Sequence, residues 1–407
     1  MINKLPPRKI YLITPWYGTF AGGGERAFRD LSSKFKQVGI EIEVLTTCSR
    51  SPYEDWRRDC FEPGTYQVDQ MTVRRFAVDQ TDPAPYYQVV QARWRSEQIS
   101  ESMQWDFFTY GINSQVLIQY VKKLPSGIPI IAGTYFQSLI PNLVNACPNR
   151  ITILPAFHDE PEFYWKPVQE MVINAKQILF LSEEEKTLAI KAYGKIAGRK
   201  LVESPVVGLG VQLPKLATQL LLDIDQLKLL RAKYNLPKNY FIYVGRIEPA
   251  KGLSYLIPWV KEWNGSRKKL GLNEIPLVLV GDGAKEIIPN SPDFIYAGYV
   301  SPEEKYGLIH ESLALINPST LESFSYVIME AWLCGKPVLV PQACCVTAGH
   351  CERSEGGMIF DDQESFFSCL NLLTKRNLNY GINGENYVKN QYGWPEVMDR
   401  VLRALGD

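Results

Sequence analysis

Several common signals are missing from this chain, and each absence narrows the field. It has no net charge: 44 Lys and Arg balance 44 Asp and Glu over 407 residues. Such a chain exerts no global pull on nucleic acid or an anionic bilayer, so nucleic acid is not an expected partner and any anion must be held by local groups. It has no apolar run of roughly 18 residues, so no helix is expected to span a membrane. Residues 1–7 lack a signal-peptide layout, which makes a cytoplasmic location the expectation. Eight cysteines are too few for a disulfide framework in a chain of this length and read as free thiols. The densest group, Cys344-Cys345 to His350-Cys351, is a single stretch with two adjacent thiols. Structural zinc sites instead pair ligands from two stretches, so this group reads as a thiol cluster and neither metal nor cofactor is expected. No G-x-G-x-x-G follows a first strand with an acidic partner downstream, which sets aside a dinucleotide-dependent dehydrogenase.

What is present is an ordinary globular composition, 45% hydrophobic and 22% charged, long enough for two to three domains. Residues 9–14 read as a short buried strand. A Gly-rich loop follows, then a helix with Ala27, Phe28, Leu31, Phe35 and Val38 on one face, and then an alternating strand at 40–46. This is a parallel βαβ unit. The theme restarts with strands at 240–244, 276–280, 294–297, 314–317 and 337–340. Between them, Ser301-Pro302-Glu303-Glu304 is a helix start, and Gly335 closes a helix that begins near Phe324. The Pro- and Gly-rich stretch at 203–214 is the expected hinge. The fold class is therefore α/β, with two doubly wound Rossmann-like domains and ligands at the carboxyl ends of both sheets. Two features have plainer readings. The aromatic-rich stretch 83–110 is a packed insertion or an acceptor-binding wall, and Asp223-Ile224-Asp225 is a helix start.

The chemistry concentrates in two places. In residues 244–252, Gly245 allows close backbone approach, and Arg246 and Lys251 supply cations suited to a diphosphate, beside a helix N-terminus. In residues 317–330, Glu322 precedes a helix start and Glu330 lies about two turns further on, among apolar neighbours where a carboxylate is costly unless it is hydrogen-bonded. Two carboxylates at that separation suit a ligand with hydroxyls at both ends and anionic groups between.

These residues resemble the nucleotide-sugar domain of retaining glycosyltransferases of the GT-B fold, family 4. Gly245-Arg246, Lys251-Gly252, Gly281-Asp282-Gly283, Pro318-Ser319 and the Glu322-to-Glu330 pair follow that family's order, and Gly22-Gly23-Gly24-Glu25 and His158-Asp159 resemble its first-domain motifs. The resemblance implies domains at 1–210 (acceptor side) and 211–388 (nucleotide sugar), facing a cleft, with a helix at 389–407 crossing back to the first. It implies that Arg246 and Lys251 neutralise the diphosphate, that Glu322 with the backbone of Phe324 and Ser325, beside Tyr326, holds the donor sugar, and that Glu330 holds the ribose. Tyr299 and Val300 would approach the base, Gly23, Gly24 and Gly245 would let backbone approach the donor, and His158 would sit near the transferring sugar. His158 also reads as a satisfied core residue. The implied activity is metal-independent transfer of a hexose, glucose from UDP-glucose first, to a glycan or lipid-linked acceptor in polysaccharide biosynthesis. The alternative is a catalytically silent nucleotide-sugar-binding scaffold of a glycan assembly. Lys186, Lys191, Lys195, Arg199 and Lys200 raise a peripheral membrane contact at the inner face, which Glu183, Glu184 and Glu185 argue against. Ser325 stands where the family often has Gly, and Ala343-Cys344-Cys345 replaces a Gly-rich loop.

Overall fold

In the computed structural model, which describes residues 7–18, 22–51, 55–375 and 379–406, the short apolar runs pair into two separate sheets. The first contains β1 (Lys9–Ile13), β2 (Glu41–Thr47), β3 (Gly64–Val68), β4 (Met71–Phe76), β5 (Ile130–Ala132), β6 (Thr152–Ile153) and β7 (Gln177–Ile178), in the order β3-β4-β2-β1-β5-β6-β7. Only the β3–β4 hairpin is antiparallel. Its two turn residues, Asp69 and Gln70, both have positive φ, as the twist of a two-residue hairpin requires. The second sheet contains β8 (Phe241–Val244), β9 (Leu277–Val280), β10 (Phe294–Gly298), β11 (Leu315–Ile316), β12 (Val338–Pro341) and β13 (Gly357–Phe360), in the order β10-β9-β8-β11-β12-β13, all parallel. Helices cover both faces of a parallel sheet, which is why strands such as Ile10-Tyr11-Leu12-Ile13 and Leu277-Val278-Leu279-Val280 are buried along their whole length and read as continuous apolar runs.

The chain divides into two units, Met1–Gly210 with Trp394–Asp407, and Val211–Gly393. The helix Tyr380–Gln391 belongs to the second unit, where Tyr387 meets the Trp332 ring edge-on at 5.9 Å. The return to the first unit therefore starts at Trp394, not at residue 389. The helix Trp394–Gly406 buries Val397, Val401 and Leu405. Arg400 donates to the Val207 carbonyl at 3.0 Å, and the Lys34 ammonium lies 5.4 Å from the Trp394 ring.

Three sequence expectations resolve plainly. Phe107 and Phe108 are buried and meet Trp165 edge-on, so this part of the aromatic stretch is packed core, while Tyr87 and Trp94 are exposed. Asp223 caps the helix Ile224–Lys233, accepting from the N–H groups of Asp225 and Gln226. Val38 lies just past the helix Gly23–Gln37 and is exposed, so it leaves the apolar face assigned to it.

What matters for function is where each strand order reverses. In a doubly wound sheet, two neighbouring strands whose connections depart in opposite directions leave a crevice at their carboxyl ends. In the second unit these strands are β8 and β11, and in the first they are β1 and β5. The loops leaving β8 and β11 are the stretches 245–252 and 317–325.

Candidate functional site

The second-unit loops are locked together by backbone. The turn Gly281-Asp282-Gly283 follows β9 with positive φ at both glycines, and a Cβ at Gly281 would overlap the Gly245 carbonyl oxygen. The Ile247 N–H donates to the Asp282 carbonyl at 2.8 Å, and the Ala284 N–H donates to the Ile247 carbonyl at 2.7 Å. The Gly-Asp-Gly motif is thus a support that fixes the Arg246 loop. At the other end of that loop, Gly252 has φ +82° and presses on the Pro318 carbonyl, leaving no room for a side chain. Tyr255 donates its hydroxyl hydrogen to the same carbonyl. Asn317 ties the second loop at both ends: its Oδ1 accepts from the Ser319 N–H at 3.2 Å and its Nδ2 donates to Ser325 Oγ at 2.9 Å.

On this frame Lys251 Nζ meets Glu322 Oε1 at 3.2 Å, joining the two loops at the switch point. Arg246 Nη2 meets Glu248 Oε1 at 2.8 Å, and Tyr243 donates to the Arg246 carbonyl at 2.6 Å. The helix after Glu322 spans Tyr326–Leu333, opening two residues later than expected. Its N-cap, Ser325, has φ +67°, a left-handed conformation that costs a non-glycine residue roughly 1–3 kcal/mol, and this is the position where the family often has Gly. The Asn317 hydrogen bond offsets part of that cost. Ser325→Ala therefore keeps the strain and loses the bond, whereas Ser325→Gly loses both. Chemical denaturation is expected to find the Gly variant more stable than the Ala variant by about 1 kcal/mol.

Glu330 is 2% exposed and its burial is satisfied: Oε1 accepts from Lys305 Nζ at 2.7 Å and Tyr306 Oη at 2.9 Å. Both donors lie on the helix Pro302–Glu311, whose start is fixed by a Ser301/Glu304 capping box. Tyr299 and Val300 sit between β10 and this helix, with Tyr299 exposed. Lys305 and Tyr306 escaped sequence reading because only the fold brings their helix to Glu330. Phe324 is buried, its ring 5.7 Å from Tyr326 and 5.1 Å from Tyr392.

That aromatic group also absorbs His350. The imidazole is fully buried, edge-on to Phe324 at 5.7 Å, with Nδ1 at 3.0 Å from Tyr387 Oη and Nε2 without a hydrogen-bond partner among the described residues. Cys344 and Cys351 are buried, while Cys345 is exposed. Among the described residues no three His, Cys, Asp or Glu side chains are placed to hold a metal ion. Burial, and then the charge of Arg353, push His350 down to about 3, against an unfolded value near 6.5. Between those limits the unfolded chain binds a proton that the folded chain refuses, so stability is full above about pH 6.5 and is lost as pH falls toward 3. His350→Phe is expected to flatten the fall in unfolding free energy between pH 6.5 and 5 by up to about 1.4 kcal/mol per pH unit. Parallel wild-type and variant curves would remove this account.

In the first unit, Gly23 and Gly24 form the first turn of the helix Gly23–Gln37; they are not in a loop, and they offer N–H groups that lack intrahelical acceptors. Gly24 packs on Thr134, in the segment leaving β5, so it too stands at a switch point. His158 follows β6, is partly exposed, and points Nδ1 at Glu160 Oε1 at 3.5 Å. The preceding Phe157 N–H donates to Glu185 Oε1 at 2.6 Å, so Glu185 faces inward and not toward the surface lysines. Lys186 is likewise occupied, donating to the carbonyls of Val202 and Ser204 at 2.8 Å. Among the described residues no helix is long and apolar enough to cross a membrane.

The switch point of the second unit thus holds a cation–carboxylate pair framed by glycine turns, and that of the first unit holds Gly24 beside Thr134. Residues 238–375 match the family model described as Glycosyl transferases group 1. That stretch contains Arg246, Lys251, Glu322 and Glu330. No curated protein matches the chain. Solved structures do. A sucrose-phosphate synthase from Thermosynechococcus elongatus is 16% identical, with 98% of this chain and 99% of that one covered at a TM-score of 0.65. An α,α-trehalose 6-phosphate synthase from Burkholderia multivorans is 12% identical, with 98% and 96% covered at 0.72. Anabaena HepE, solved with UDP and glucose, is 15% identical, with 98% and 99% covered at 0.62. At these identities the likeness is one of fold: two parallel-sheet α/β units of the GT-B class along the whole chain.

Proposed function

We propose that this protein is a retaining glycosyltransferase that moves a hexose, glucose from UDP-glucose in the first instance, to a glycan or lipid-linked acceptor in polysaccharide biosynthesis. The observation that carries the reading is the Lys251–Glu322 pair, held at the β8/β11 switch point by loops whose glycines let backbone pack directly against backbone. A diphosphate carries more charge than one carboxylate, so it displaces Glu322 from Lys251 and frees Glu322 to accept sugar hydroxyls. Arg246, Lys251 and the N-terminus of the helix Tyr326–Leu333 then stabilise the departing diphosphate, which is positive charge placed where negative charge develops. The bond from the anomeric carbon to the phosphate oxygen breaks with its electron pair going to the diphosphate. The acceptor hydroxyl bonds to the same face and yields its proton to the departing oxygen. Glu330 accepts the ribose hydroxyls, Tyr299 and Val300 border the base, and Gly23, Gly24 and His158 serve from the first unit. With Arg246 and Lys251 supplying the positive charge, the reading requires no metal and places the enzyme in the cytoplasm.

The test is a thermal-shift panel of nucleotide sugars, since a ligand bound only by the native state raises its stability, followed by donor hydrolysis and transfer assays in chelator. UDP-glucose is expected to give the largest shift and to be turned over. Tight binding without turnover on any acceptor would establish the scaffold reading instead, and absence of binding by every nucleotide sugar would remove both.

A further inference from the structure

We propose that Glu160 is the positioning residue of His158, holding its imidazole in the Nδ1–H tautomer so that Nε2 accepts a hydrogen bond from a sugar hydroxyl. The nature of the ligand rests on the function proposed above; the tautomer does not.

Asp159, next to His158 in the chain, is taken by Tyr164, whose hydroxyl donates to it at 2.7 Å. Glu162 is paired with Arg93, and Glu185 is occupied by the N–H groups of Phe157 and Leu181. Glu160 remains as the carboxylate at Nδ1, with 3.5 Å between His158 Nδ1 and Glu160 Oε1. The same oxygen accepts the hydroxyl hydrogen of Tyr135. Tyr135 is 1% exposed, with its ring wedged edge-on against Phe157, Phe163 and Phe136, so the phenol cannot swing away. Burial works to raise the Glu160 carboxyl, but the nearby His158, the hydrogen bond from Tyr135 and the charge of Arg93 hold it below the usual range, which favours the ionised form. An ionised carboxylate only accepts, so the ring nitrogen facing it must carry the hydrogen and the other nitrogen must present a lone pair. The turn itself is clamped: the Glu160 N–H donates to the His158 carbonyl at 3.0 Å, while Glu185 holds Phe157. An orienting carboxylate behind a working imidazole recurs wherever one tautomer is required.

The chain has three histidines, so each imidazole is assignable in a ¹⁵N spectrum of histidine-labelled protein by single His→Gln variants. In spectra recorded at about pH 8, His158 is expected to show a protonated Nδ1 and a bare Nε2. Glu160→Gln, whose amide can donate as well as accept, is expected to lose that preference. It should also lower kcat for transfer about 10- to 100-fold while changing the donor KM less than about threefold. Tyr135→Phe should shift the tautomer in the same direction by a smaller amount. An Nε2–H form in the wild type, or an unchanged tautomer in Glu160→Gln, overturns the proposal; if that variant does not fold, the wild-type spectrum and Tyr135→Phe decide. Should the wild type turn over no nucleotide sugar, the functional reading fails while the spectrum still judges Glu160.

Discussion

Replacing Lys251 with alanine is expected to lower kcat/KM for donor turnover by about 10²–10³-fold while leaving the fold intact. The size follows from what is removed: one preorganised positive group aimed at a developing anion is worth roughly that much. The tolerance of the fold follows from exposure. The Lys251 and Glu322 side chains are 30% and 19% exposed, so Glu322 can turn to water, and a partly exposed pair contributes no more than about 1 kcal/mol. Lys251→Arg should recover only part of the activity, because Gly252 at φ +82° against the Pro318 carbonyl fixes where the side chain departs and the longer guanidinium reaches a different point. Steady-state kinetics with a thermal-melt control makes the measurement. Turnover within threefold of wild type would sink the diphosphate assignment; a collapsed melting temperature would show the pair to be structural.

Glu330→Ala is expected to do two things at once, and separating them is the purpose of a second variant. It strips the acceptor from Lys305 and Tyr306, of which Tyr306 is buried and cannot find water. Breaking a buried pair costs about 3–5 kcal/mol when both groups are trapped. The Lys305 side chain is 21% exposed, so about 2 kcal/mol is the expected loss. Glu330→Gln keeps the volume and an acceptor for Tyr306 and should lose about 1 kcal/mol. Both variants should raise the donor KM about tenfold, because a methyl group in one and a neutral amide in the other replaces the carboxylate proposed to accept the vicinal ribose hydroxyls. If Glu330→Gln melts lower but binds the donor as well as wild type, the carboxylate is structural and the ribose role falls.

These two predictions differ in how far the sequence could carry them. Gly245-Arg246, Lys251-Gly252 and the Glu322–Glu330 spacing are local patterns, and parallel strands buried on both faces read as continuous apolar runs, so the loops and the α/β class were legible without coordinates. The function of Gly281-Asp282-Gly283 was not: it supports the Arg246 loop through hydrogen bonds from a neighbouring strand. The Ser325 φ was foreshadowed only by the family's preference for Gly. The start of the helix at Tyr326 shows how helix ends depend on capping geometry that periodicity does not record.

The absence of net charge and of long apolar runs, with the ordered glycine, cation and carboxylate motifs, was enough by sequence alone to indicate two α/β units and to name the loops that carry chemistry. Tertiary structure alone decided the partners: Lys305 and Tyr306 for Glu330, Glu322 for Lys251, and Glu160 for His158. The reason is physical. Strand and helix periods are set by neighbours a few residues apart, whereas the partner of a buried charge is whichever group the sheet order brings within about 3 Å, often from an element many residues away.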